Sequence, residues 1–255
     1  MVGAGISGQQ IADELVDAGR RTYLAVGRHR AWPRRYRGHG IQEWLGALPS
    51  LYEDFGAVGG DGGPVLPGLP VTAIRDKRAD LNLGTLAAKG VTLVGSVLAA
   101  DGHELHLKDN VVAVAEESAR SFRRAVNIID ARVRERGFAV PEERPAPEVS
   151  MAHVAAFGER LDLARHGVTT IVWCTGFGPD YRILPGHVLD EHGAPIQEKG
   201  LLGALPGLYY AGLPDGNSIA PVGIEANVEN GRFIARLIHV DHTLRSGTAA
   251  ALVTA

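Results

Sequence analysis

The feature that most constrains the fold is a run of six residues near the start of the chain, Gly3-Ala4-Gly5-Ile6-Ser7-Gly8, which satisfies G-x-G-x-x-G. Behind it Ile11, Leu15 and Ala18 recur at the spacing of one helical face, Gly19 supplies a stop, and residues 22–26 read as a buried strand. A glycine turn opening a helix and followed by a strand is the order in which a chain wraps the pyrophosphate of a dinucleotide. The first glycine permits the tight turn, the second lets the backbone approach the phosphates, and the third lets the helix pack closely on its strand. Free N–H groups at the helix start then face the negative charge. In a chain with 33 glycines the plain alternative is an ordinary turn; the helix and strand in the right order favour the nucleotide. The run is not a nucleophile elbow, since G-x-S-x-G would need glycine where Gln9 stands. The loop follows Met1 by two residues, so the sequence predicts a dinucleotide domain short of its first strand.

The next strand ends Ala25-Val26-Gly27-Arg28-His29-Arg30. An NAD ribose is ordinarily held at this point by a carboxylate, and none is present. Arg28 and Arg30 instead offer guanidinium forks suited to a 2'-phosphate, which favours NADP over NAD. The plain alternative is two arginines solvating the surface. Arg34, Arg35 and Arg37, interleaved with Trp32 and Tyr36, also fit contact with single-stranded nucleic acid. The charge balance argues against it: 26 basic and 29 acidic residues give a net charge of -3 and no field to hold a polyanion. No nucleic acid is expected as a partner.

Residues 31–80 are broken by prolines and glycine pairs and read as a mobile insertion with one short helix at 41–48. Residues 91–94 form an apolar strand, and 97–107 a hairpin turning at Asp101-Gly102. A long helix follows, with Ala115, Ala119, Phe122, Val126, Ile129 and Val133 on one face, ended by Gly137 and Pro141. Residues 139–150 read as a surface linker. In the last third, 169–173 and 208–211 read as strands, and Val222, Ala226, Phe233 and Leu237 as the face of a final helix. One cysteine, Cys174, can neither form an internal disulfide nor complete a zinc site, and no apolar run reaches the length of about 18 that a membrane helix needs. With no signal peptide at Met1, the expectation is a cytoplasmic protein without membrane or metal. No set of carboxylates or Ser/His/Asp residues stands out as catalytic.

Five separated stretches carry a resemblance: residues 3–8 with Arg28; Arg34-Arg35-Tyr36-Arg37-Gly38; Gly90-Val91-Thr92-Leu93-Val94-Gly95; residues 172–180, containing Thr175-Gly176-Phe177; and residues 206–213. Together they resemble the flavin-containing monooxygenase-like family, in whose order they occur. The resemblance implies an NADPH domain inserted into an FAD domain. It makes Gly3, Gly5, Ser7, Gly8 and Arg28 holders of NADPH, and Thr175 and Gly176 the turn by which the chain returns to the FAD domain. It also places Asp215 where related reductases contact the ribityl chain of FAD. Ile6 departs from the asparagine the family often has there, and the family's first FAD-clasping glycine loop has no counterpart in this sequence.

The expected fold is therefore α/β: a Rossmann-like, three-layer dinucleotide-binding domain over residues 1–167, and the C-terminal part of an FAD-type domain over 168–255. The resemblance further implies that NADPH reduces the flavin, which activates molecular oxygen for transfer to a small organic substrate, with a partner supplying the missing FAD half. Two other readings stay open: a non-catalytic NADP-binding module or redox-sensing partner, and a reductase without oxygen chemistry.

Overall fold

The computed structural model describes residues 1–29, 31–48, 57–58, 64–65, 71–75, 80–143, 151–154, 156–198, 201–213 and 224–246. The chain is a mixed α/β protein with small parallel and antiparallel sheets. It divides into two compact units, residues 1–177 and 178–255.

The first unit is built on a short parallel row. Strand β1 (Tyr23–Ala25) pairs in parallel with β8 (Thr92–Val94), with Leu24 opposite Leu93. On the other side of β1, Val2 bridges Ala25 in parallel, and Val2 also bridges Trp173 in parallel. The spatial order is therefore β8, β1, Val2, Trp173. The sequence predicts that this first strand is missing. Residues 1–3 take its place: Met1 O accepts from Ala25 N at 2.9 Å, Gly3 N donates to Ala25 O at 3.0 Å, and Val2 bonds Val172 O at 2.9 Å and Cys174 N at 2.7 Å. The predicted strand at 169–173 is reduced to the single bridge at Trp173, because Val2 alone pairs with it.

Successive residues of a strand face opposite ways, and here each face has its own layer. Leu24 and Leu93 join Ala12 of helix α1 (Ile6–Asp17), Leu83 and Leu86 of helix α3 (Leu83–Ala88), and Ala115 of helix α4 (Val111–Arg136). Ala25 and Val94 pack on Leu105, Leu107 and Leu161. Those three belong to an antiparallel sheet of β9 (Val97–Asp101), β10 (Glu104–Leu107) and β11 (Arg160–Asp162), in the order β9-β10-β11. The hairpin joining β9 to β10 turns through Gly102 at φ 56°, the left-handed region that a two-residue primed turn requires.

Helix α1 buries a different face from the one its apolar spacing predicts. Gly8, Gln9, Ala12 and Asp13 are inside, while Ile11 and Leu15 are only half-buried and Ala18 is exposed. Small residues let the helix lie close to the row. Asp13, 2% exposed, is answered by the ammonium of Lys89, whose pKa rises chiefly through that hydrogen bond.

Within the region expected as an insertion, residues 31–48 fold against α4. Strands β2 (Arg35–Tyr36) and β3 (His39–Gly40) make a hairpin leading into helix α2 (Ile41–Ala47). Trp32, Tyr36, Trp44 and Leu48 are buried against Phe122, Val126, Ile129 and Val133, the predicted face of α4. Tyr36 Oη donates to Asp130 at 2.9 Å, Arg37 Nε to the same carboxylate at 2.7 Å, and Trp44 Nε1 to Tyr36 O at 2.9 Å. Helix α4 ends at Gly137 in the left-handed conformation, φ 66°. The remaining short pairs in this region are β4 (Ala57–Val58) with β5 (Pro64–Val65), and β6 (Val71–Thr72) with β7 (Asp80–Leu81).

The second unit contains the pair β12 (Gln197–Glu198) and β13 (Leu202–Gly203), a bridge from Leu202 to Tyr209, and helix α5 (Ile224–Ser246). The predicted strand at 208–211 is thus a single bridge. The inner face of α5 carries Asn227, Asn230, Ile234 and Leu237, whereas Phe233 is 41% exposed. Val222 lies outside the described residues.

Candidate functional site

The loops that leave the parallel row at its carboxyl ends gather the predicted residues. These are residues 3–5 after Val2, Gly27 and Arg28 after β1, Gly95 and Ser96 after β8, and residues 174–176 after Trp173. In open α/β sheets this edge is where ligands bind.

The three glycines of the loop are required for different reasons. Gly3 sits at φ +105°, and a Cβ there would lie 2.3 Å from Cys174 O. A Cβ on Gly8 would lie 1.9 Å from Gly3 O. Both positions are closed by the protein's own backbone. Gly5 differs: a Cβ there would meet no atom within 4 Å, and its φ of -72° suits any residue. Packing places no demand for glycine at this position, so the bare backbone is left open to a group from outside.

Gly5 is also the N-cap of α1. The 12-residue helix has no side-chain cap and no acidic residue in its first turn, and Ile6 and Ser7 are exposed. Its first N–H groups and the positive end of its dipole therefore face the open space beside Gly5. A pyrophosphate fits this set of donors; a carboxylate side chain in the first turn would have repelled it.

Arg28 is exposed and has neither hydrogen bond nor ion pair among the described residues. Arg30 lies outside the described residues. Thr175 and Gly176 are exposed, Gly176 at φ +89° with open space around its Cβ position. Asp215 also lies outside the described residues. The structure thus brings Gly3, Gly5, Ser7, Gly8, Thr175 and Gly176 to one edge with Arg28 on the adjoining loop. The other arginines of the sequence reading are drawn into the fold: Arg37 pairs with Asp130, Arg34 with Asp80, and Arg35 donates to Gly38 O at 2.7 Å. Cys174, half-buried, has its backbone beside Gly3 and its Cβ beside Gly8, which fits a packing role.

Three further residues at this edge escaped the sequence reading. His29 hydrogen-bonds the backbone of Ala4, and its Nε2 is buried with no partner among the described residues. Burial lowers its pKa from 6.5 to about 4, only partly opposed by the bond to Ala4. Ser96 and Asn110 join the ends of β8 and β1: Ser96 N donates to Asn110 Oδ1 at 3.1 Å, and Ser96 Oγ donates to Val26 O at 3.3 Å. The one signal in the sequence was Asn110 standing just before a long helix. Among the described residues no cluster of His, Cys, Asp and Glu could hold a metal, and no helix is long and apolar enough to cross a membrane.

Over 72 residues the chain is 35% identical to a protein of Geobacillus kaustophilus (strain HTA426) named "Uncharacterized oxidoreductase CzcO-like". The likeness is to an oxidoreductase. It covers 28% of this chain and 20% of the relative's length. No family model matches the chain, and no solved structure matches it.

Proposed function

We propose that this chain is the NADPH-binding part of an oxidoreductase of the flavin monooxygenase type. Gly5 carries the reading: it is the one glycine of the loop that the protein's own packing does not require, and it stands at an uncapped helix start at the carboxyl edge of a parallel row. The spatial order β8, β1, Val2, Trp173 supports a Rossmann-like arrangement, with first, second and third strands adjacent and the fourth beyond the first. The antiparallel sheet on one face and helices on the other support the three-layer description.

In this reading the N–H groups at the start of α1 hold the pyrophosphate, with the Gly3 turn setting their direction. Ser7 contributes a hydroxyl at the same helix start. Arg28, exposed and without a partner among the described residues, receives the 2'-phosphate by a bidentate contact that a ribose hydroxyl cannot reproduce. Arg30 is proposed to assist it. Thr175 and Gly176 bound the far side of the same edge.

FAD is proposed from the family resemblance, with Asp215 as its contact and residues 168–255 as the C-terminal part of its domain. When bound, a flavin accepts hydride from the nicotinamide and supplies the chemistry toward oxygen and a small organic substrate. A separate polypeptide supplying the rest of the FAD domain, and a cytoplasmic setting, belong to the same proposal.

Titration of the purified chain with NADPH and NADH tests the reading. The expected result is saturable binding of NADPH at least about tenfold tighter than NADH. Failure to bind either nucleotide would overturn it. Binding without NADPH consumption in the presence of added FAD would instead favour a non-catalytic NADP-binding module.

A further inference from the structure

Two residues outside the glycine loop, Ser96 and Asn110, contact the backbone just before Arg28. Helix α4 begins at Val111, which puts Asn110 at the N-cap, where an asparagine ordinarily accepts a stabilising hydrogen bond from its own helix. The Asn110 side chain makes no such bond. It reaches away from its helix instead. Its Oδ1 accepts from Ser96 N at 3.1 Å, and its Nδ2 donates to Ser96 Oγ at 3.3 Å and, in a longer bond, to Gly27 O at 3.5 Å. Ser96 Oγ in turn donates to Val26 O at 3.3 Å.

This approach is possible only because Gly95 has no side chain. A Cβ there would lie 1.6 Å from Lys108 O and 2.8 Å from Asn110 Oδ1. The two carbonyls that precede Arg28, those of Val26 and Gly27, are thereby tied to the start of α4. On the other side of Arg28, His29 is tied to Ala4 of the glycine loop. Both neighbours of Arg28 are anchored while its own side chain is exposed with no partner among the described residues.

We infer that Asn110 and Ser96 are positioning residues that fix the turn presenting Arg28, and so set the preference for a 2'-phosphorylated nucleotide. The inference rests on the NADP reading above and concerns residues that reading does not use. An anchored root leaves the guanidinium less conformational freedom to lose when it binds, which strengthens a bidentate contact without adding an atom to it. The forgone helix cap identifies the purpose: Asn110 gives up a local stabilisation and makes a longer-range one at the nucleotide edge.

The full chain is titrated calorimetrically with 2',5'-ADP and with 5'-ADP, and the ratio of the two dissociation constants is compared among variants. The unsubstituted chain is expected to favour 2',5'-ADP by about tenfold or more, and Asn110→Ala to bring the ratio close to that of Arg28→Ala with 5'-ADP affinity unchanged. In the double variant Asn110→Ala/Arg28→Ala the ratio should fall no further than in Arg28→Ala alone, the signature of two residues acting through one contact. Ser96→Ala, which removes only the hydroxyl, is read the same way and keeps the test decisive if Asn110→Ala does not fold. A wild-type ratio in a folded Asn110→Ala or in Ser96→Ala, whatever the change in melting temperature, overturns the inference and leaves the cofactor reading standing. No preference in the unsubstituted chain overturns both.

Discussion

The carbonyl oxygen of Gly3 lies 1.9 Å from the point where a Cβ on Gly8 would stand. The first and last glycines of the loop are thus in contact with each other through the fold, and the middle one is not part of that contact. Gly8→Ala forces the helix off its strand and is expected to cost at least about 2 kcal/mol, read as a lower denaturation midpoint.

Gly5→Ala separates folding from binding. Its backbone conformation is open to alanine and its Cβ meets nothing, so the expected loss of stability is at most about 1 kcal/mol, that of a poorer N-cap. In the proposed reading the methyl group would stand where the phosphates approach, so NADPH affinity should fall about tenfold or more. Equal NADPH affinity in Gly5→Ala and wild type would refute the assignment of the loop.

Arg28→Ala is expected to abolish the discrimination between NADPH and NADH while leaving NADH binding as it was. A loss shared equally by both nucleotides would mean that Arg28 meets the pyrophosphate or nothing at all. Parallel titrations distinguish these outcomes.

His29 predicts a pH dependence of stability. Its folded pKa, about 4, lies below the 6.5 of the free side chain. Between those values the unfolded chain binds a proton that the folded chain does not, so stability falls as pH drops from 6.5 to 4 and is fully present above 6.5. The contribution is about 3 kcal/mol over that window. Urea denaturation of wild type and His29→Asn at a series of pH values should show a difference between them that narrows or reverses toward pH 4; a difference independent of pH would refute it.

Asp130 accepts from both Tyr36 and Arg37 and so pins the β2–β3 hairpin to α4. Burial, and after it the bond to Asp130, raises the pKa of the Tyr36 phenol. Asp130→Ala should cost about 2 kcal/mol, since it leaves a buried hydroxyl without its acceptor and removes the ion pair of a partly buried guanidinium. The same variant should leave the NADPH preference intact, because this network belongs to the small core on α4.

Much of this was legible in the sequence because local rules agreed with the fold. The stripe of Ala119, Phe122, Val126, Ile129 and Val133 is the buried face of α4, Gly137 ends it, and Asp101-Gly102 marks the hairpin. The glycine loop opens a helix as its spacing requires. What was not legible depends on neighbours distant in sequence. Helix α1 turns inward the face with Gly8 and Ala12 rather than its most apolar one, because close approach to the row outweighs the area of Ile11 and Leu15, and Gln9 and Asp13 on that face are bonded to Ala4 O and Lys89. Residues 1–3 act as a strand only because β1 and Val172 offer carbonyls and amides on either side. The part played by Asn110 was not legible, because its side chain reaches Ser96 and Gly27 rather than its own helix, an approach that the bare Gly95 opposite allows.

The bridge between Val2 and Trp173 has an optical consequence. Of the three tryptophans, Trp32 and Trp44 are buried in the small core, while Trp173 is 65% exposed at the end of the parallel row, two residues before Thr175. Its emission is expected at the long-wavelength side of the spectrum, separable from that of the two buried rings. Quenching there on titration with NADPH would read occupancy of the edge directly, with the chain serving as its own fluorophore.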